Sequence, residues 1–480
     1  MVRVTLIFVL LLASTAYGKP QSSETTYKGI LNSNDDHFIV KINYPFHIED
    51  NQPDTFIISS RDTIDLGTGG MPGLSATVAT DSDSLQIQYE NFPFTQIVYV
   101  PIHSPKASTH YRLHFNGVNA YFSPEYIAEH NGKASIEIPE IFELANILWT
   151  LSPSGQRAND LNRTGKYYSR VIAHFSPFLN HPIFKLLDFP DSIASDKYYD
   201  FRENSFCYHF AEANGTSNKI VYEGPYYYVM GDDWDNYINL FGQLKPLVED
   251  FVRVSGYREF YRRNIEFYAT QIKRMDELLP VKSMWQWLEH KNPDVRYNAY
   301  KIVFSPLIGG SHSTQNFGTY SATDYYSEAI MFVCGPSRYD SDKAMTETIK
   351  MGLMTGIVFT EIDHNYVNPV SFEFGENINE IFSDRNIWAK GLQTKSYNSS
   401  MSVFNEYMTH SLYCLYLLDT YDRSSSNYLI EKRESLMADI RGFNRFKEFN
   451  QALVSIYLRD RSAKLVDLYA PILAWSSKQE

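Results

Sequence analysis

The sequence predicts an α+β protein, β-rich toward its N-terminal end and largely helical beyond it. Three patterns carry this. Short runs of β-branched and aromatic residues, broken by Gly, Pro, Asn and Asp, fill residues 36–122, as strands and turns do. Apolar residues then recur at steps of three and four, the period of an amphipathic helix. Between helical stretches, two apolar runs near residues 300 and 330 have the length and β-branched content of buried strands. With 480 residues, 44% of them hydrophobic, the chain can bury a large core. The length corresponds to about two to three domains or one elaborated fold. The net charge of −13 comes without a dominant acidic or basic run, which argues against a nucleic-acid partner. The 36 Tyr and 31 Phe fit amphipathic packing in a large core, or a surface that binds peptides or sugars.

Taken in order, residues 1–18 read as a secretory leader. Arg3 supplies the positive charge, residues 4–13 form an apolar run too short to span a bilayer, and Ala16-Tyr17-Gly18 offers small residues for cleavage before Lys19. No later run reaches the roughly 18 apolar residues of a membrane helix, so the expectation is a secreted protein without a membrane span. Residues 19–122 form the β-rich region, with strands at 37–44, 55–59, 84–89, 96–102 and 111–122. His110 and His114 fall on one of these strands, about 13 Å apart and too distant to share a metal.

Residues 123–299 are expected to be mainly helical. One helix starts near Pro139 with Ile141, Leu144, Ala145, Leu148 and Leu151 on one face, and Glu140 and Glu143 beside it. A second covers 234–254. A third covers 257–279, with Tyr261, Ile265, Tyr268, Ile272, Met275 and Leu279 as its stripe and Pro280 as its stop. Residues 300–480 alternate: a strand at 300–308, the loop Gly309-Gly310-Ser311-His312-Ser313, a buried strand at 328–334, a long helix over 343–366 stopped by Pro369, and two or three helices over 400–480. Of the three cysteines, Cys334 and Cys414 read as small buried hydrophobes. With Cys207 the count is odd, so at least one thiol is unpaired in a monomer. Sequons at Asn162, Asn214 and Asn398 suit a secreted chain, and each one used must lie at the surface.

The stretch that carries chemistry is Val358-Phe359-Thr360-Glu361-Ile362-Asp363-His364-Asn365-Tyr366-Val367-Asn368-Pro369. On a helix Glu361 and His364 share a face, and so do Thr360 and His364. This is the spacing of the HExxH zinc helix, in which two His one turn apart hold the metal and the Glu activates its water. Thr360 stands at the first His position. The plain alternative is a helix end at which His364 complements the dipole and Asn368-Pro369 makes the turn. No GxSxG elbow surrounds Ser311 or Ser313 to support a serine nucleophile.

TEIDHNYVNP at 360–369 resembles the H-E-x-x-H-x-[FY]-[VI]-N-P stretch of an uncharacterised family of secreted, gluzincin-like predicted metallopeptidases. PEIFELANI at 139–147 is similar to that family's upstream helix, and FNEYMTH at 404–410 to its downstream Glu-bearing helix. Together these span about residues 135 to 420. The resemblance implies a zincin-like α/β region, with a small sheet and an active-site helix, within 300–480. It implies zinc held by His364 and Glu406, with Glu361 as general base. Thr360 departs from the pattern and is a poor ligand, because a catalytic zinc takes three protein ligands plus water. His410, His312 and Asp363 are candidates to complete the set, and Asp384 is a rival to Glu406 as third ligand. By the strand–loop–strand–helix order of zincins, His312 would also line the substrate cleft. The expected function is metal-assisted hydrolysis of a peptide or protein. The alternatives are an inactive secreted protein that keeps the cleft for peptide or glycan partners, and a binding protein that uses a Tyr-rich surface.

Overall fold

The computed structural model is described at residue 120 and over 122–479, apart from 212–216, 223–224, 227–239, 321–324 and 396. Before residue 120 the description is confined to the backbone of short strand segments. The leader at 1–18, the side chains of His110 and His114, the sequon at Asn214 and the β-rich reading of 19–122 therefore lie outside the described residues.

The described residues form an α+β fold in which helices enclose a small mixed sheet. The strands are β1 (Ala134–Glu137), β2 (Tyr208–Phe210), β3 (Ile220–Tyr222), β4 (Ala299–Ser305), β5 (Ser313–Tyr320) and β6 (Tyr325–Cys334). β2 and β3 form a separate antiparallel pair. The main sheet has the order β5-β6-β4-β1. β4 runs parallel to both neighbours, with Tyr300 opposite Ala134 and Ala299 opposite Glu328. β5 runs antiparallel along β6, with Ser313 opposite Phe332. All seven residues of β4 are buried, as expected of a parallel strand covered on both faces.

The Gly-rich loop leads straight into β5, a strand missing from the sequence reading. Its sequence, STQNFGTY, is largely polar, so it lacks the apolar run that marks β4 and β6. Such polarity suits an edge strand.

The helices that frame the site are α1 (Glu140–Leu151), α2 (Asp191–Ser205), α3 (Leu240–Ser255), α4 (Tyr257–Arg263), α5 (Ile265–Leu278), α6 (Glu347–Glu373), α7 (Ser400–Thr420), α8 (Arg423–Ser435), α9 (Phe446–Tyr457) and α10 (Leu465–Ser476). α1 starts where Pro139 places it, but Ile141 through Leu151 are all buried, not one face alone. The single helix expected over 257–279 is two, α4 and α5, broken at Asn264. The Asn264 amide donates to the Phe260 carbonyl at 2.8 Å, and an Asn side chain that competes for backbone bonds disfavours a continuous helix. Ile265, just after the break, is 52% exposed, whereas Tyr268, Met275, Leu278 and Leu279 are buried.

α6 continues through Pro369 to Glu373. Proline lacks the N–H that would close the turn. Side chains support the turn before it instead: Asn292 donates to the Tyr366 carbonyl at 3.2 Å and Tyr469 to the Val367 carbonyl at 3.0 Å. Four α-helices and a π-helical turn, Leu436–Arg441, fill the region after residue 400, where two or three helices were expected. Cys207, Cys334 and Cys414 are all buried, and Cys334 and Cys414 are unpaired. Among the described residues no helix is long and apolar enough to cross a membrane.

Candidate functional site

α6 and α7 pack side by side, and α6 lies against β5 and β6. Two glycines set how close their neighbours approach. A Cβ at Gly352 would collide with the Leu429 side chain, and one at Gly356 with the Arg433 guanidinium and the Tyr413 ring. α8 can therefore lie against α6 and send Arg433 across it. On the next turn α6 carries Thr360, Glu361 and His364, while α7 carries Glu406 and, one turn on, His410.

The structure brings His364 and Glu406 together: His364 Nε2 lies 3.3 Å from Glu406 Oε1. The other oxygen, Oε2, lies 2.8 Å from Arg441 Nη2 and 3.3 Å from His410 Nε2. Arg441 Nη1 is 2.6 Å from His410 Nε2, and Arg433 Nη1 is 2.8 Å from His410 Nδ1. A neutral imidazole has one acceptor nitrogen, so only one of these guanidinium contacts is a hydrogen bond in a given tautomer. Arg441 Nη2 also donates to the Tyr397 hydroxyl at 2.5 Å. His364 Nδ1 faces the Asn368 side-chain oxygen at 3.4 Å.

Charge follows from these contacts. Burial opposes ionisation of Glu406, which is 6% exposed, but Arg441 and the bonds from His364 and His410 hold its carboxyl well below the usual range. Burial pushes the Glu361 carboxyl up to about 7, with His364 lowering it and Glu406 raising it. Burial also works against a charged His364, yet its bond to Glu406 lifts the imidazole above its ordinary value. His410 goes the other way: burial pushes it down to about 3 against its bond to Glu406, and Arg433 and Arg441 add to the lowering.

The remaining sequence candidates stand apart. The Thr360 hydroxyl bonds back along its own helix, to the carbonyls of Gly356 at 3.0 Å and Ile357 at 3.1 Å. Asp363 is fully buried with neither carboxylate oxygen partnered, and burial pushes its carboxyl well above the usual range. Asp384 is an exposed cap residue that accepts from the Asn386 N–H at 3.0 Å. His312 makes no bond to His364 or Glu406. Its Nε2 is buried without a partner, burial pushes the ring down to about 3, and its carbonyl faces the Tyr199 hydroxyl at 3.4 Å.

Several contributors were not singled out from the sequence. Arg433 and Arg441 lie on α8 and the π-helical turn, and no local motif marks them. Arg202 and Glu203, at the end of α2, fasten that helix to β5. Arg202 donates to the Ser311 carbonyl at 2.7 Å and to Ser313 Oγ at 2.9 Å, and Gln315 donates to Glu203 at 2.9 Å. Asn365 ties α6 to the same strand through Thr314 Oγ1 at 3.1 Å. Of the sequons, Asn398 is exposed, whereas the Asn162 amide donates to the Pro306 carbonyl at 2.9 Å.

The side chains present do not fit a catalytic zinc ion. Such a site needs three converging protein ligands and an open fourth position. Here the first ligand position is a hydroxyl bonded to its own helix, both Glu406 oxygens are engaged, and a guanidinium already stands against the acid. Among the described residues no group of three or more His, Cys, Asp or Glu side chains is arranged to hold a metal. No protein-family model, curated protein or solved structure matches the chain.

Proposed function

We propose that this chain is a secreted, metallopeptidase-like protein that binds an extended peptide along β5 and α6 and does not hydrolyse it through zinc. The observation that carries the reading is at Thr360. Where the resemblance calls for a ligating His, a hydroxyl turns back onto Gly356 and Ile357, while Glu361 and His364 remain partly exposed beside it. The mixed sheet supports the zincin-like part of the reading, because its antiparallel edge strand is fastened to the helix bearing these two residues. In zincins a strand so placed pairs with the substrate backbone. The polar side chains there suit a peptide better than an apolar ligand.

The test uses the full-length protein purified without chelator. The expected result is no stoichiometric zinc, no chelator-sensitive hydrolysis of a mixed peptide pool, and saturable binding of peptides from that pool that weakens in His364→Ala. Stoichiometric zinc that disappears in His364→Ala, together with hydrolysis lost in Glu361→Gln, would replace this reading with an active metallopeptidase. Binding of no peptide would remove it.

A further inference from the structure

We infer that Arg441 is the chain's own substitute for a metal ion: its fixed guanidinium serves as counter-charge to Glu406 and masks a latent ligand set of His364, Glu406 and His410. This rests on the metal-independent reading of the site and says what keeps it metal-independent.

The placement of Arg441 is built into the backbone. It is the last residue of the π-helical turn, and Gly442 follows with φ +86°. A Cβ at Gly442 would collide with the Lys390 carbonyl, and Lys390 N–H donates to the Gly442 carbonyl at 2.8 Å. The turn is thereby pinned to the segment just before Tyr397. The guanidinium carbon lies 5.6 Å from the Tyr397 ring centroid and 5.1 Å from that of Phe443. Its nitrogens reach Glu406 Oε2, His410 Nε2 and the Tyr397 hydroxyl. A planar fork held on Glu406, the Tyr397 hydroxyl and two rings has few alternative conformations.

The three side chains neighbour one another without being arranged to hold a metal, each imidazole standing against a different oxygen of Glu406. Glu406 lies within 3.3 Å of both imidazoles, His364 across the helix pair and His410 one turn along its own helix. Two His and one carboxylate are a ligand set of hydrolytic zinc sites. A divalent cation entering this volume would meet the Arg441 charge directly and the Arg433 charge on the far side of His410, and like charges at such range repel strongly in a partly buried site. Restoring the missing His alone therefore leaves the obstacle in place.

The experiment measures zinc per chain after dialysis against zinc chloride, and the thermal shift on adding zinc, for wild type, Thr360→His, Arg441→Met, Arg441→Lys and the double variant Thr360→His/Arg441→Met. Wild type, Thr360→His and Arg441→Lys should hold less than about 0.1 zinc per chain, while Arg441→Met and the double variant should hold about one and melt higher with zinc than with chelator. Cobalt(II) should give visible bands of a four-coordinate site only in those last two. Stoichiometric zinc in Thr360→His would overturn the inference, and that variant keeps Arg441 and answers whether or not Arg441→Met folds unaided. A folded double variant without zinc would overturn it equally. Peptide binding by the wild type is scored separately, so its absence would remove the functional reading and leave the zinc comparison standing.

Discussion

Glu143 and Glu406 are both buried glutamates on helices, yet their environments push them to opposite ends of the carboxylate range. Glu406 faces a guanidinium and two imidazoles and stays ionised. Glu143 is fully buried and receives the Tyr167 hydroxyl at 2.6 Å on one oxygen, with no partner on the other. Burial pushes its carboxyl up to about 8. Below about pH 4.5 both folded and unfolded chains hold this proton. As pH rises from there to 8, the unfolded chain releases the proton and the folded chain keeps it, so stability falls across that window. Glu143→Gln removes the titration and keeps an acceptor for Tyr167. In denaturant unfolding the wild type should lose about 2–4 kcal/mol relative to Glu143→Gln between pH 5 and pH 9. Parallel pH profiles would mean that Glu143 is ionised in the native state. The residues of the site were unequally legible in the sequence. Glu361 and His364 are marked by spacing on one helix, and Glu406 by a resemblance of its flanks. Arg433 and Arg441 act through long side chains from elements whose packing depends on contacts distant in sequence, and no local pattern records that.

Helix α6 shows how far an element's own sequence determines its limits. Pro369 is a sound local stop signal, and it is overridden because Asn292 and Tyr469, both remote in sequence, support the carbonyls of the preceding turn. The same dependence explains the unanticipated β5, whose polar residues make sense only at the sheet's edge, whereas the break at Asn264 is local, its amide donating to the Phe260 carbonyl. Where burial is complete, as in β4 and β6, the run of apolar residues made the strand readable, with bounds that shift by a few residues. Gly352 marks the tightest contact of α6 with α8. In an isolated helix Gly→Ala would stabilise by about 1 kcal/mol. Here the added Cβ meets Leu429, which is itself buried, so Gly352→Ala should destabilise by about 1–3 kcal/mol through overpacking. Thermal melts decide the sign, and a gain in stability would show that α6 and α8 are packed more loosely than described.

At the scale of the molecule, a chain read as secreted carries buried, unpaired thiols at Cys334 and Cys414 and sequons with unlike surroundings. Burial pushes the Cys334 and Cys414 thiols up to about 12. The thiolate is the reactive form, so a water-soluble disulfide reagent should modify neither Cys334 nor Cys414 in the native protein and both after unfolding. The sequons give a sharper test, because glycan transfer is chemistry on one atom, the Asn amide nitrogen. At Asn398 that nitrogen belongs to an exposed residue just before the N-cap of α7, and the N-cap residue Ser399 is exposed too. At Asn162 the same atom donates to the Pro306 carbonyl, while its Oδ1 accepts from the Thr164 hydroxyl at 2.7 Å. The Asn162 backbone N–H is bonded to the Leu307 carbonyl at 2.7 Å as well. A glycan there would replace one of the two amide hydrogens and crowd the bond that ties the segment to the end of β4, and loss of that bond would leave the Pro306 carbonyl unpaired at a cost of about 1–3 kcal/mol. Protein collected from the medium of a eukaryotic secretion host should therefore carry a glycan on the Asn398 peptide and an unmodified Asn162 peptide. Full occupancy at Asn162 would mean that modification precedes folding of this segment, and that the Pro306 contact does not form in the mature protein.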